Sequence, residues 1–154
     1  MEYTESELDV ICDSCCSIFL LVASSDNNIH KEEENFFLNH YQDILSGLHI
    51  ISDPREKAVL EFWAQDRFTH QHILEMKSDS AVVHMARIRA GLTLVQKKEN
   101  KQDHLQYKTA LMTLAVNISK AARGLWGLGG QVSRKEEKAL KELSALLKVP
   151  PLSR

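Results

Sequence analysis

Glycine, proline and cysteine are all scarce in this 154-residue chain, at 6, 3 and 3 residues, and aromatic residues make up only 6%. So few helix breakers exclude a collagen-like or low-complexity polypeptide. An odd count of three cysteines argues against a disulfide framework. No apolar run approaches the roughly 18 residues that cross a bilayer. The opening Met1-Glu2-Tyr3-Thr4-Glu5 is acidic, where a secretory signal would be basic and then apolar, so a cytosolic location is expected. No segment sustains a period-two alternation of apolar and polar residues, which leaves β-structure without a signal.

What is present suits a globular chain: 44% apolar and 26% charged residues. The length fits one domain with a real core, spanning residues 1–154, and is short for two. A net charge of −2 conceals a division. Residues 1–96 hold 7 Lys/Arg against 16 Asp/Glu, net −9, and residues 97–154 hold 12 against 5, net +7. Such a division reflects either an unevenly charged solvated surface or two faces with different partners. The basic half has no aromatic interleaving and no dense basic cluster, so nucleic acid is not an expected partner.

The periodicity predicts helices throughout and an all-α bundle of about six to seven. Thr4-Glu5-Ser6-Glu7 reads as a capping box that opens a first helix running to about Ser24. Its apolar face is Leu8, Ile11, Cys12, Cys15, Phe19 and Val22, so Cys12 and Cys15 are expected in the core rather than on a metal. A second helix starts after His30 and runs to Ser46, where Gly47 is placed to end it. Asp53-Pro54 opens a third, with proline at the first helical position. Thr69 starts a short fourth, and Ser78 opens a fifth with the stripe Val82, Met85, Ile88, Leu92 and Val95. Residues 96–103 form a polar connection. The next helix turns Leu105, Leu111, Leu114, Ile118 and Ala122 inward, and a last one runs from Ser133 to Pro150-Pro151.

Shifted by 103 residues, Ile29-His30-Lys31-Glu32-Glu33 falls on Val132-Ser133-Arg134-Lys135-Glu136, and Phe37 falls on Leu140. This predicts a duplicated helix–loop–helix unit, at about 5–46 and 104–149, with the middle helices at about 53–96 between. In the second copy Ser133 and Glu136 make a capping box, so both Glu33 and Glu136 have a structural role open to them as helix caps, worth about 0.5–2 kcal/mol each.

An apolar helix, then Asp26-x-x-Ile29-x-x-x-Glu33, then an amphipathic helix resembles the signature of the tellurite-resistance TerB-like family. The stretch from Ala121 to Glu137, with Gly124-Leu125-Trp126-Gly127-Leu128-Gly129-Gly130 ahead of Val132-Ser133-Arg134-Lys135-Glu136-Glu137, is similar to a branch with a glycine-rich insert in its second loop. The resemblance spans most of the chain. It implies an all-helical cytosolic fold with two units packed face to face, a part in stress responses to tellurite, other chemical insults and phage, and a scaffold or sensor rather than an enzyme. It also implies divalent-cation binding by the acidic loops, at Asp26 and Glu33 in the first and Glu136 in the second. The sequence departs from the family at Asn27, where glycine is usual, and at Gly129, where the second loop usually has aspartate.

Elementary coordination chemistry makes any such site weak. Calcium takes 6–8 oxygens, and the loop's leading positions fall on Val22 and Ser24, of which Val22 has no side-chain oxygen to give. Asp26, Asn28 and Glu33 or Glu34 remain as ligands for a calcium or, with more waters kept, a magnesium ion. The stretch is thus either a helix cap or a weak cation loop.

The seven histidines are dispersed, and no serine or cysteine lies in a nucleophile context, so a non-catalytic module is expected. A metal-dependent hydrolase built on Asp26, Glu33 and a histidine is the enzymatic alternative. The glycine-rich segment is no phosphate loop. It is either a plain connection or a display of Leu125, Trp126 and Leu128 to a partner or a membrane surface, which would make the protein a membrane-proximal adaptor. Other proteins are the expected partners, with monomer and homodimer both open.

Overall fold

In the computed structural model, which describes residues 3–23, 31–47, 55, 58, 70–125 and 134–149 (backbone alone at 40–47, 70 and 121–125), the first helix opens on the cap that its spacing predicts. The Thr4 amide donates to Glu7 Oε2 at 2.8 Å, and the Glu7 amide donates to Thr4 Oγ1 at 3.3 Å. Every element among the described residues is helical: α1 (Glu5–Ala23), α2 (Lys31–Gly47), α3 (His70–Lys77), α4 (Ala81–Lys98), α5 (Lys101–Leu125) and α6 (Arg134–Leu147). The fold is all-α. Of the helix expected after Pro54, only Arg55 and Ala58 fall within the description, both helical and exposed.

Local chemistry sets the ends. Ser80, not Ser78, caps α4, its hydroxyl accepting from the Val83 amide at 3.4 Å. The polar connection shrinks to Glu99-Asn100. There Asn100 Oδ1 accepts from the Asp103 amide, and its Nδ2 donates to Asp103 Oδ2, both at 2.9 Å, starting α5 with no loop to spare. Helix α6 ends before the prolines: Lys148 takes a left-handed φ of 53°, and the Val149 amide donates to the Ser144 carbonyl at 3.3 Å, a Schellman close with buried Val149 covering the last turn.

Helix α1 is the centre. Twelve of its nineteen residues are buried, far more than one face supplies, and α2, α3, α4, α5 and α6 all pack against it. Cys12, Cys15 and Cys16 are buried in that core and form no disulfide, and burial is what the spacing predicts for the first two. Burial pushes the Cys16 thiol up to about 12 and raises that of Cys15 as well, so neither supplies a thiolate. Helix α5 adds Tyr107, Leu111, Met112, Leu114, Ala115 and Ile118, all fully buried. Helix α2 lies along α5 and reaches α1 through Phe37, whose ring stacks on Phe19 at 4.8 Å and 12°. Tyr3 closes the lower end, donating to Glu99 Oε1 at 2.7 Å beneath the Lys98 ammonium. Lys98 pairs with Glu7 and holds its carboxyl below the usual range.

Two expected apolar stripes are corrected. On α4 the inward residues are His84, Ile88, Gly91 and Val95, with Val82 exposed at 78% and Met85 and Leu92 half-buried at the flanks. On α5 Leu105 is 52% exposed, because Tyr107 takes the inward position. The reason is the polar lining of α1. Ser14 Oγ donates to the Ile11 carbonyl at 2.8 Å and so accepts from Tyr107 Oη, 2.7 Å away. Gly91 lets α4 approach this pair: a Cβ there would lie 2.7 Å from Tyr107 Oη and 2.9 Å from Ser14 Oγ.

Gly91→Ala is therefore expected to destabilise. Overpacking costs about 1–3 kcal/mol, and the better helix propensity of alanine returns about 1 kcal/mol of that. Urea denaturation will show a net loss of up to about 2 kcal/mol in the wild-type background. The loss will be smaller in a Tyr107→Phe background, where the clashing oxygen is gone.

Candidate acidic helix starts and the buried histidine

Helices α2 and α6 begin at Lys31 and Arg134, which are 103 positions apart, the same offset that aligns the two sequence motifs. From each start the accessibility runs alike over seven residues: two exposed, one buried, one half-buried, one exposed, one half-buried, one buried. The buried third residues are the two candidate glutamates, Glu33 at 1% exposure and Glu136 at 7%. The buried seventh residues are Phe37 and Leu140. A carboxylate in the first turn faces the positive end of the helix and meets its free amides. A carboxylate that is also buried has to be hydrogen-bonded or coordinated, since the bare charge is costly away from water. That burial goes beyond a solvated cap. Glu136 stands on the same stripe as Leu140, Leu143 and Leu147.

The remaining predicted site residues divide as follows. Asp26, Asn28, Trp126 and Leu128 lie outside the described residues. Leu125 is the last residue of α5, and its side chain is likewise outside the description. Among the described residues no three His, Cys, Asp or Glu side chains gather as a metal site, and no helix is long and apolar enough to cross a membrane. Glu33 and Glu136 are thus the part of the predicted acidic set whose surroundings are on view. No protein-family model, curated protein or solved structure matches the chain.

Sequence reasoning missed a second polar centre. His84 on α4 is only 3% exposed, and its Nδ1 lies 3.1 Å from Ser17 Oγ on α1. No stripe of apolar residues announces it. Its signal is a polar pair that matches once α1 and α4 are laid side by side: Ser14 faces Gly91, and Ser17, one turn on, faces His84, one to two turns back. Burial, then the nearby Arg87 guanidinium, lower the His84 pKa, with the Asp79 side opposing. Arg87 is itself held by Asp79 at 2.8 Å. A neighbouring contact repeats the theme, with His72 Nε2 on α3 lying 3.5 Å from Asp13 Oδ1 on α1.

A lowered pKa means that the unfolded chain binds the His84 proton more readily than the folded one. Stability from this group is full above the unfolded histidine value of about 6.5 and is lost as pH falls through the lower folded value. His104, on α5, is lowered too, by burial and then by Lys108, so the assignment needs a variant. Chemical denaturation between pH 7.5 and 4.5 is expected to show a falling stability whose slope shrinks in His84→Gln. One proton contributes at most about 1.4 kcal/mol per pH unit. An unchanged slope in His84→Gln would assign the dependence elsewhere.

Proposed function

We propose that the chain is a non-catalytic scaffold or sensor module of the TerB-like kind, built from two related helix–loop–helix units and acting in the cytosol through contacts with other proteins during stress. The observation that carries this reading is the pair of buried glutamates, Glu33 and Glu136, at the starts of helices spaced by the repeat offset and followed by the same burial pattern. The packing of α1 and α2 against α5, and of α1 against α6, is what two units placed face to face would give.

The first loop, with Asp26 and Asn28 leading to Glu33, is proposed as a weak divalent-cation site for magnesium or calcium. Its few carboxylates point to affinity at the low end, with Kd of about 10⁻⁴–10⁻³ M. An occupied loop would tighten the junction between α1 and α2, since Glu33 is one turn from Phe37 and Phe37 stacks on Phe19. In this way the ion would alter the surface offered to a partner. Burial keeps the Cys15 and Cys16 thiols protonated, which supports packing rather than nucleophilic roles for those two residues.

Calorimetric titration of metal-free protein with magnesium, calcium, manganese and zinc tests the cation site. Binding is expected for magnesium or calcium in the wild type and is expected to disappear in Asp26→Asn. Absence of heat in both proteins would reduce the acidic starts to helix caps, and the scaffold reading would then have to stand on protein contacts alone.

A further inference from the structure

A cleft of about 370 Å³ opens between the start of α4, the far end of α1 and the outer side of α6. The volume falls in the range of small-ligand pockets, roughly 300–1,000 Å³. Its apolar lining comes from Leu21 on α1, Ala81 on α4 and Ala139 on α6, and His84 lines it as well. Two cations, Lys135 and Lys138, stand on the α6 wall.

The lining charges of this cleft, two cations and two carboxylates, are not equally engaged. Among the described residues no ion pair or side-chain hydrogen bond engages Lys135 or Lys138, whereas Lys141 on the same helix approaches Glu137 at 3.9 Å. Two carboxylates also line the space. Asp79 is engaged by Arg87 at 2.8 Å, and Glu142 lies one turn beyond Lys138 without closing on it. Helix α4 brings no acidic residue in its first turn to compete. Burial and Arg87 disfavour a charged His84, so its ring adds contact surface rather than a further cation at neutral pH. With Asp79 held by Arg87, the cleft offers two ammonium groups against one carboxylate, Glu142, beside a small apolar lining.

We propose that this cleft binds a small organic anion, with a carboxylate or phosphate head held by Lys135 and Lys138 and a short apolar body resting on Leu21, Ala81 and Ala139. The head gains charge-assisted hydrogen bonds from two ammonium groups, and the body removes apolar surface from water. The proposal is independent of the cation loop, which lies on other residues, and of the duplicated-unit reading.

Amide chemical shifts of ¹⁵N-labelled protein, followed during titration with hexyl phosphate, hexanoate, inorganic phosphate and hexylammonium, test it. Hexyl phosphate and hexanoate are expected to shift the amides of Ala81, Ala139 and their neighbours. Inorganic phosphate should act more weakly, and hexylammonium should leave these amides unmoved. In Lys135→Gln/Lys138→Gln the affinity for both hexyl anions should fall at least tenfold. The charge-matched Lys97→Gln/Lys101→Gln should bind as the wild type does. Ala139→Met, which adds bulk to the apolar lining and keeps every charge, should also weaken binding, with its folding checked by the rest of the spectrum. The proposal is overturned if neither hexyl anion shifts these amides, if both lysine double variants lose affinity equally, or if hexylammonium binds as well as the anions.

Discussion

The structure depends on burying α1 on nearly all sides. The polar side chains on the buried faces of such a helix must find partners inside. Ser14 finds Tyr107 and its own Ile11 carbonyl, and Ser17 finds His84. These bonds dictate which residues of α4 and α5 point inward, in preference to better apolar candidates such as Val82 and Leu105. They also require a glycine at position 91, because the Ser14–Tyr107 pair occupies the space a side chain would need. Cys15 and Cys16 beside them sit as small apolar groups whose thiols stay protonated.

Around that axis the other helices differ in how they are held. Helix α4 meets α1 through polar pairs and a close backbone approach, and its far end is clasped by Tyr3, Lys98 and Glu7. Helices α2 and α6 meet the core through apolar side chains, Phe37 in one and Leu140, Leu143 and Leu147 in the other. Both also carry a buried glutamate in the first turn. A carboxylate there can accept from the otherwise unpaired amides of its own helix end.

Much of the fold was legible along the chain. The Thr4–Glu7 cap, the start of α2 after His30 and the burial of Cys12 and Cys15 follow from spacing and local hydrogen bonding, which neighbouring residues control. The misreadings share one cause. Hydropathy alone turns Val82, Met85, Ile88, Leu92 and Val95 of α4 inward and gives α1 a single apolar face. Both errors come from treating burial as a property of the residue itself. Residues 96–103 were read as a connection because they are polar, yet they are the exposed ends of two helices with the Asn100 cap between them.

The sequence by itself determined the helical class, most of the helix starts and the positions of the acidic residues Glu33 and Glu136. Those features rest on interactions within one or two turns, so nearby residues are enough to specify them. Only the tertiary structure decided that α1 would be enclosed, that both glutamates would be buried, that His84 would meet Ser17, and that Lys135 and Lys138 would stand over a cleft shared with α1 and α4. The residues so joined lie far apart in the chain, 67 positions for Ser17 and His84 and 114 for Leu21 and Lys135. Local propensity carries no information about such pairs, because it is the packing of whole helices that decides which faces meet.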